Sequence, residues 1–104
     1  MIALRIIRQI LTMSKYKVAV SSKYKKQRKK LSLKDKELLD IVIDNLSNGE
    51  SLEPKYHDHA LLGQYQGYRE CHIKPNLLLI YRIYDNILTL YLAQVGSHSE
   101  LFKK

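Results

Sequence analysis

The run Leu77–Tyr84, LLLIYRIY, constrains the fold more than any other stretch of the chain. It is apolar at odd and even positions alike, so as a strand it must be covered on both faces, as the centre of a sheet is. Its surroundings agree with that placement. Pro75-Asn76 precede it as a turn and Asp85-Asn86 follow it as another. Before the first turn, Tyr68–Lys74 alternates, with Tyr68, Glu70 and His72 facing one way and Arg69, Cys71 and Ile73 the other. After the second, ILTLYLAQV supplies a further strand, and Gly96 breaks it before the tail SHSELFKK.

Upstream, Lys15–Val20 alternates as a strand with one wet face. Ser22 suits the N-cap of a helix through KYKKQRKKL, in which Tyr24, Arg28 and Leu31 share a face. Ser32 and Asp35 resemble a capping box ahead of Leu39, Val42, Ile43 and Leu46, and Asn48-Gly49 mark the end of that second helix. The two helices form a hairpin, and the sheet is the surface able to receive their apolar stripes. Residues 50–67 carry Pro54, Gly63 and Gly67 as breakers and no clear period, so they are expected to be a structured connection with one helical turn. The fold class is α+β: an N-terminal strand, a helical hairpin, then a three-stranded antiparallel meander, in one sheet with the helices on one face.

A chain of 104 residues buries a single core, which gives one domain over residues 13–104. The segment MIALRIIRQILT is amphipathic but too short and too interrupted by Arg5 and Arg8 to span a bilayer, and no cleavage site follows it. Residues 1–12 are therefore expected to be a dispensable extension, with Met13 as the working start and a membrane-surface anchor as the alternative. Cys71 is the only cysteine, so no intrachain disulfide forms and a reduced cytoplasmic setting is the default. A small core residue is the expected role for it.

Net charge is the unusual figure, at +8 from 18 Lys and Arg against 10 Asp and Glu. Nucleic acid, an acidic protein or an anionic membrane surface all fit that sign. Lys23, Lys25, Lys26, Arg28, Lys29 and Lys30 make six of eight consecutive residues basic, a candidate phosphate-contacting surface whose plainer alternative is a solvated helix face.

Three of the four histidines fall within residues 56–81, and the segments KYHDHAL, GQYQGYRECHI, LLLIYRI and GSHSELF carry a resemblance. In this order and spacing, over about residues 14–102, the chain resembles the YafQ branch of the RelE/ParE superfamily of type II toxins. The resemblance implies a ribosome-dependent endoribonuclease that cleaves messenger RNA in the decoding site and is held inactive by a cognate antitoxin, with no cofactor. It carries over His59, His72, His98 and Phe102 as site residues. Asn76 stands where the family usually has an acidic residue, so Glu70 or Asp58 substitutes, or the histidines act without a carboxylate. Tyr65 replaces a common tryptophan and keeps an aromatic ring for stacking.

The chemistry has its own logic. Cutting RNA without metal needs a base for the 2′-hydroxyl, an acid for the 5′-oxygen and cations for the phosphorane. Imidazoles suit both proton roles because one can be neutral while another is protonated. His98 is the expected acid and His59 or His72 the base, with Arg69, Arg82 and the lysine run as cations. Three rivals stand beside this. His57, His59 and His72 with Asp58 offer H-x-H spacing for a transition metal but no second motif completes a ligand set. A same-fold protein that poisons DNA gyrase or only binds a partner is the second, and a toxin disabled by drift, for which Asn76 is the sole support, is the third.

Overall fold

The computed structural model describes residues 14–102, so the proposed extension 1–12 lies outside the described part. In chain order the elements are β1 (Lys17–Val20), α1 (Ser22–Lys29), α2 (Leu33–Ser47), β2 (His59–Ala60), β3 (Arg69–Lys74), β4 (Leu77–Tyr84), β5 (Thr89–Gly96) and α3 (His98–Leu101). Short 3-10 turns occupy Pro54–Tyr56, Gly63–Tyr65 and Asp85–Ile87. The sheet has five strands in the order β1-β5-β4-β3-β2. Neighbours are antiparallel except β1, which runs parallel to β5.

The α+β plan and the hairpin on one face are as expected, and β4 is indeed the central strand. Its two-sided apolarity has a cause on each side. Toward the hairpin, Leu77, Leu79 and Tyr81 join Tyr24 of α1 and Leu39, Val42 and Leu46 of α2 in the main core. Toward the other face, Leu78 and Ile80 are covered by Leu101 of α3, with Leu61, Tyr68 and Phe102 packed against them. Cys71 is fully buried in the main core, and burial pushes its thiol up to about 12, which makes it inert.

Four details differ from expectation. A fifth strand, β2, arises within the stretch expected to be irregular, because His59 and Ala60 pair with Glu70 and Arg69. Two residues are too few to show a period. The first strand begins at Lys17, since the Tyr16 N–H turns aside to the carbonyl of Ser47 at 2.8 Å. Ser21 rather than Ser22 caps α1, its hydroxyl accepting from the Tyr24 N–H at 2.9 Å. The tail, to which the sequence assigns no element, opens with α3: Ser97 and Glu100 form a capping box, and Leu101 is buried.

β5 contains a bulge. Tyr81 lies opposite Leu92 and Ile80 opposite Gln94, which leaves Ala93 without a partner. Helix α1 holds the irregular edge beyond the end of β1, from its N-cap and from its last turn. The Ser21 hydroxyl donates to the Ala93 carbonyl at 2.6 Å, and the Gln27 side-chain oxygen accepts from the Val95 N–H at 2.8 Å.

Candidate active site

The alternation of β3 sends Glu70 and His72 to the face away from the hairpin, and the β2 pairing sets His59 directly beside Glu70. One oxygen, Glu70 Oε1, then lies 3.6 Å from Nε2 of His59 and 3.6 Å from Nε2 of His72. Glu70 is buried, whereas the His72 and His59 side chains keep 31% and 50% of their surface exposed. A buried carboxyl group thus lies within reach of two wet imidazoles.

His57 organises this cluster, although nothing in the local pattern separates it from its neighbours. It ends the turn Pro54–Tyr56 in the left-handed region, φ +48, a conformation uncommon for a residue with a side chain. That reversal brings its carbonyl to 2.6 Å from Nδ1 of His59 and its ring edge-on to His72, with centroids 5.4 Å apart. A carbonyl only accepts, so Nδ1 of His59 carries the proton and the neutral ring has its lone pair at Nε2.

His98 comes from the other side of the sheet's centre. His72 lies opposite Leu78 and Leu78 opposite Gly96, so His72 and Gly96 are two strand spacings apart, roughly 10 Å. His98 opens α3 just beyond, its ring 4.9 Å from Phe102, which meets Tyr65 edge-on at 5.5 Å. The histidines and Phe102 thus share one face and one end of the sheet. A groove of about 780 Å³ lined by His57, His59, His72, Lys55 and Lys74 opens beside them.

Other candidates lie elsewhere. The Asp58 carboxylate turns to the hairpin side, where it accepts from Arg69 at 3.0 Å and from the Tyr81 hydroxyl. That network leaves neither Asp58 nor Arg69 with the histidines, and Glu70 is the carboxylate among them. The bond to Asp58 raises the Arg69 guanidinium further, and burial pushes the Tyr81 phenol up. Arg82 is on the site's face but stacks on Tyr68 and Tyr84, at 5.5 and 4.8 Å, beneath Gly67. Arg28 bridges to Asp40 at 2.9 Å and ties α1 to α2 rather than facing outward. Lys23, Lys25, Lys26, Lys29 and Lys30 are exposed. Asn76 sits exposed in the β3–β4 turn.

Among the described residues, no group of three or more His, Cys, Asp or Glu is arranged to hold a metal ion. The carbonyl of His57 occupies Nδ1 of His59 and leaves Nε2 as the open ring nitrogen. No helix among them is long and apolar enough to cross a membrane.

A mixed five-stranded sheet, backed by a helical hairpin and bearing imidazoles around a carboxylate on its open face, defines a toxin domain of RelE-like fold. The model of the family described as the bacterial toxin of type II toxin-antitoxin system, YafQ, matches residues 16–103, and the chain belongs to that family. The mRNA interferase toxin YafQ of Escherichia coli is 35% identical over 80 residues, which are 77% of this chain and 82% of that protein. The crystal structure of a copper-bound mutant toxin from Helicobacter pylori is similar with a TM-score of 0.77 and 42% identity, over 84% of this chain and 99% of that one. The toxin in the crystal structure of the Escherichia coli DinJ-YafQ toxin-antitoxin complex gives 0.74 and 31%, over 85% and 98%.

Proposed function

We propose that this toxin cleaves messenger RNA on the ribosome by acid–base catalysis from its own histidines. The observation that carries the proposal is the single Glu70 oxygen 3.6 Å from both His59 and His72, on the face shared with His98 and Phe102. The name of the Escherichia coli relative, an mRNA interferase, supports the same substrate.

His59 suits the base because its tautomer leaves Nε2 free to accept. It takes the 2′-hydroxyl proton, the 2′-oxygen attacks phosphorus, and a 2′,3′-cyclic phosphate forms as the bond to the 5′-oxygen breaks. Glu70 then faces the imidazolium just created. His98 protonates the departing 5′-oxygen. His72, held by Glu70 and by the ring of His57, places positive charge near the phosphorane. The exposed lysines of α1 contact ribosomal RNA and govern docking rather than chemistry.

The partner is an antitoxin, as the DinJ complex of the Escherichia coli toxin suggests. An acidic segment that orders on binding complements the basic surface of this chain. The setting is the cytoplasm, where ribosomes are.

Single-turnover cleavage of ribosome-bound message is the test. His59→Ala, His72→Ala and His98→Ala should each lower the rate on the order of 100-fold or more. Wild-type rates in variants with native circular dichroism would remove these residues from catalysis.

A further inference from the structure

The histidine face has a second hollow toward its α1 side, about 350 Å³ in volume. Tyr65, Tyr68 and Tyr91 line it, with Lys23 and Gln94. Gln94 reaches it through the bulge. Leu90 and Leu92 point into the hairpin-side core, so unbroken alternation would send residue 94 there as well. The extra residue Ala93 shifts the phase. Gln94 instead lies opposite Ile80, on the face of Leu78 and Ile80, while Val95 returns to the core. Bulges re-aim side chains beside functional sites, and this one is pinned by Ser21 and Gln27.

The re-aimed side chain is incomplete. Gln94 Oε1 is buried and has no hydrogen-bond partner, a state that a buried acceptor rarely keeps in a finished core. Its surroundings are aromatic: Tyr91 is half-buried, and Arg82 holds the ring of Tyr68 from one side at 5.5 Å. The hollow is also close to the candidate acid, because Tyr65 touches Phe102 and Phe102 touches His98.

We propose that this hollow is a nucleobase subsite, in which an unpaired base stacks on Tyr91 and hydrogen-bonds the side-chain amide of Gln94, which turns to meet it, while Lys23 meets the adjoining phosphate. The identification of the ligand as RNA rests on the proposed cleavage of message. The volume is at the low end of the range for small-ligand pockets, about 300–1,000 Å³, and suits one base rather than a helix or a peptide strand. Stacking plus hydrogen bonds to a base edge is how single-stranded RNA is recognised. The subsite selects the nucleotide near the scissile phosphate and so contributes to cut-site preference.

The test is a titration, followed by NMR, of the full chain with 2′-O-methyl hexamers of adenosine, cytidine or uridine, which have no 2′-hydroxyl to react. The Gln94 side-chain amide and the Tyr91 ring should shift saturably. Tyr91→Ala should weaken binding by about tenfold or more. Gln94→Leu, which removes an unpartnered polar group and keeps the bulk, should abolish the affinity differences among the three hexamers. Shifts confined to the α1 lysines, or wild-type affinities in both variants, would overturn the subsite. Cleavage of ribosome-bound message, run in parallel, separates the two proposals. A wild-type chain that binds through Tyr91 and Gln94 but cuts no message keeps the subsite and loses the nuclease. Unchanged rates and cut sites in both variants would do the reverse.

Discussion

Replacing Glu70 by glutamine removes one charge from the centre of the candidate site and leaves its shape. At 3.6 Å, two unit charges attract by about 1 kcal/mol in water and about 4 to 5 kcal/mol at an effective dielectric of 20. Glu70 is buried, but His72 and His59 are 31% and 50% exposed, so the wet end of that range applies, about 1 to 2 kcal/mol for each imidazolium. If one imidazolium is formed in the transition state, cleavage should slow by roughly 5- to 30-fold. The fold should not suffer, because an amide in place of a buried carboxylate relieves desolvation. Single-turnover cleavage of ribosome-bound message, with a thermal melt of the same sample, measures both quantities. A rate within about twofold of wild type in a fully folded Glu70→Gln protein would refute the role given to this carboxylate.

Asp58→Ala should behave differently, since it leaves the buried Tyr81 hydroxyl without its acceptor. Stability should fall by about 1 to 3 kcal/mol in a denaturant melt, while cleavage per folded molecule changes less than tenfold. Changing Lys25, Lys26 and Lys29 to glutamine should lower the slope of log affinity for ribosomes against log salt by about 2 to 3, and an unchanged slope would make the run a solvated helix face. Cys71 should resist thiol reagents in the native chain and react at once in denaturant. Its thiol is raised by burial to about 12, so stability should decline as pH climbs through the ordinary thiol value of 9.0, where the unfolded chain ionises and the folded one does not. Denaturant midpoints between pH 8 and 11 check the sign.

The parts of the fold legible in the sequence are those set by local period. LLLIYRIY could only be a strand with two covered faces, and Ser32 with Asn48-Gly49 bracket α2 through caps that depend on adjacent residues alone. Alternation along β3 also places Glu70 and His72 together. What was hidden depends on contacts between distant residues. Glu70 and Asp58 looked interchangeable because the partner that fixes Asp58, Tyr81, lies 23 residues on. Arg28 looked free because Asp40 belongs to the next helix. The parallel return of β1 beside β5 has no signature in either strand. The left-handed turn at His57 and the bulge at Ala93 carry no glycine to mark them, yet they aim His59 and Gln94. Family resemblance supplied four site positions without their distances.

The chemistry of the cut ends tests the central claim most directly. Message cleaved on the ribosome by the wild-type chain should carry a 2′,3′-cyclic phosphate on the upstream fragment and a 5′-hydroxyl on the downstream one, because the attacking group is the substrate's own 2′-oxygen. A single 2′-deoxy substitution at the cut site should stop the reaction. Mass spectrometry of both fragments reads the ends. A 3′-hydroxyl with a 5′-phosphate, or undiminished cutting of the deoxy substrate, would contradict histidine acid–base cleavage.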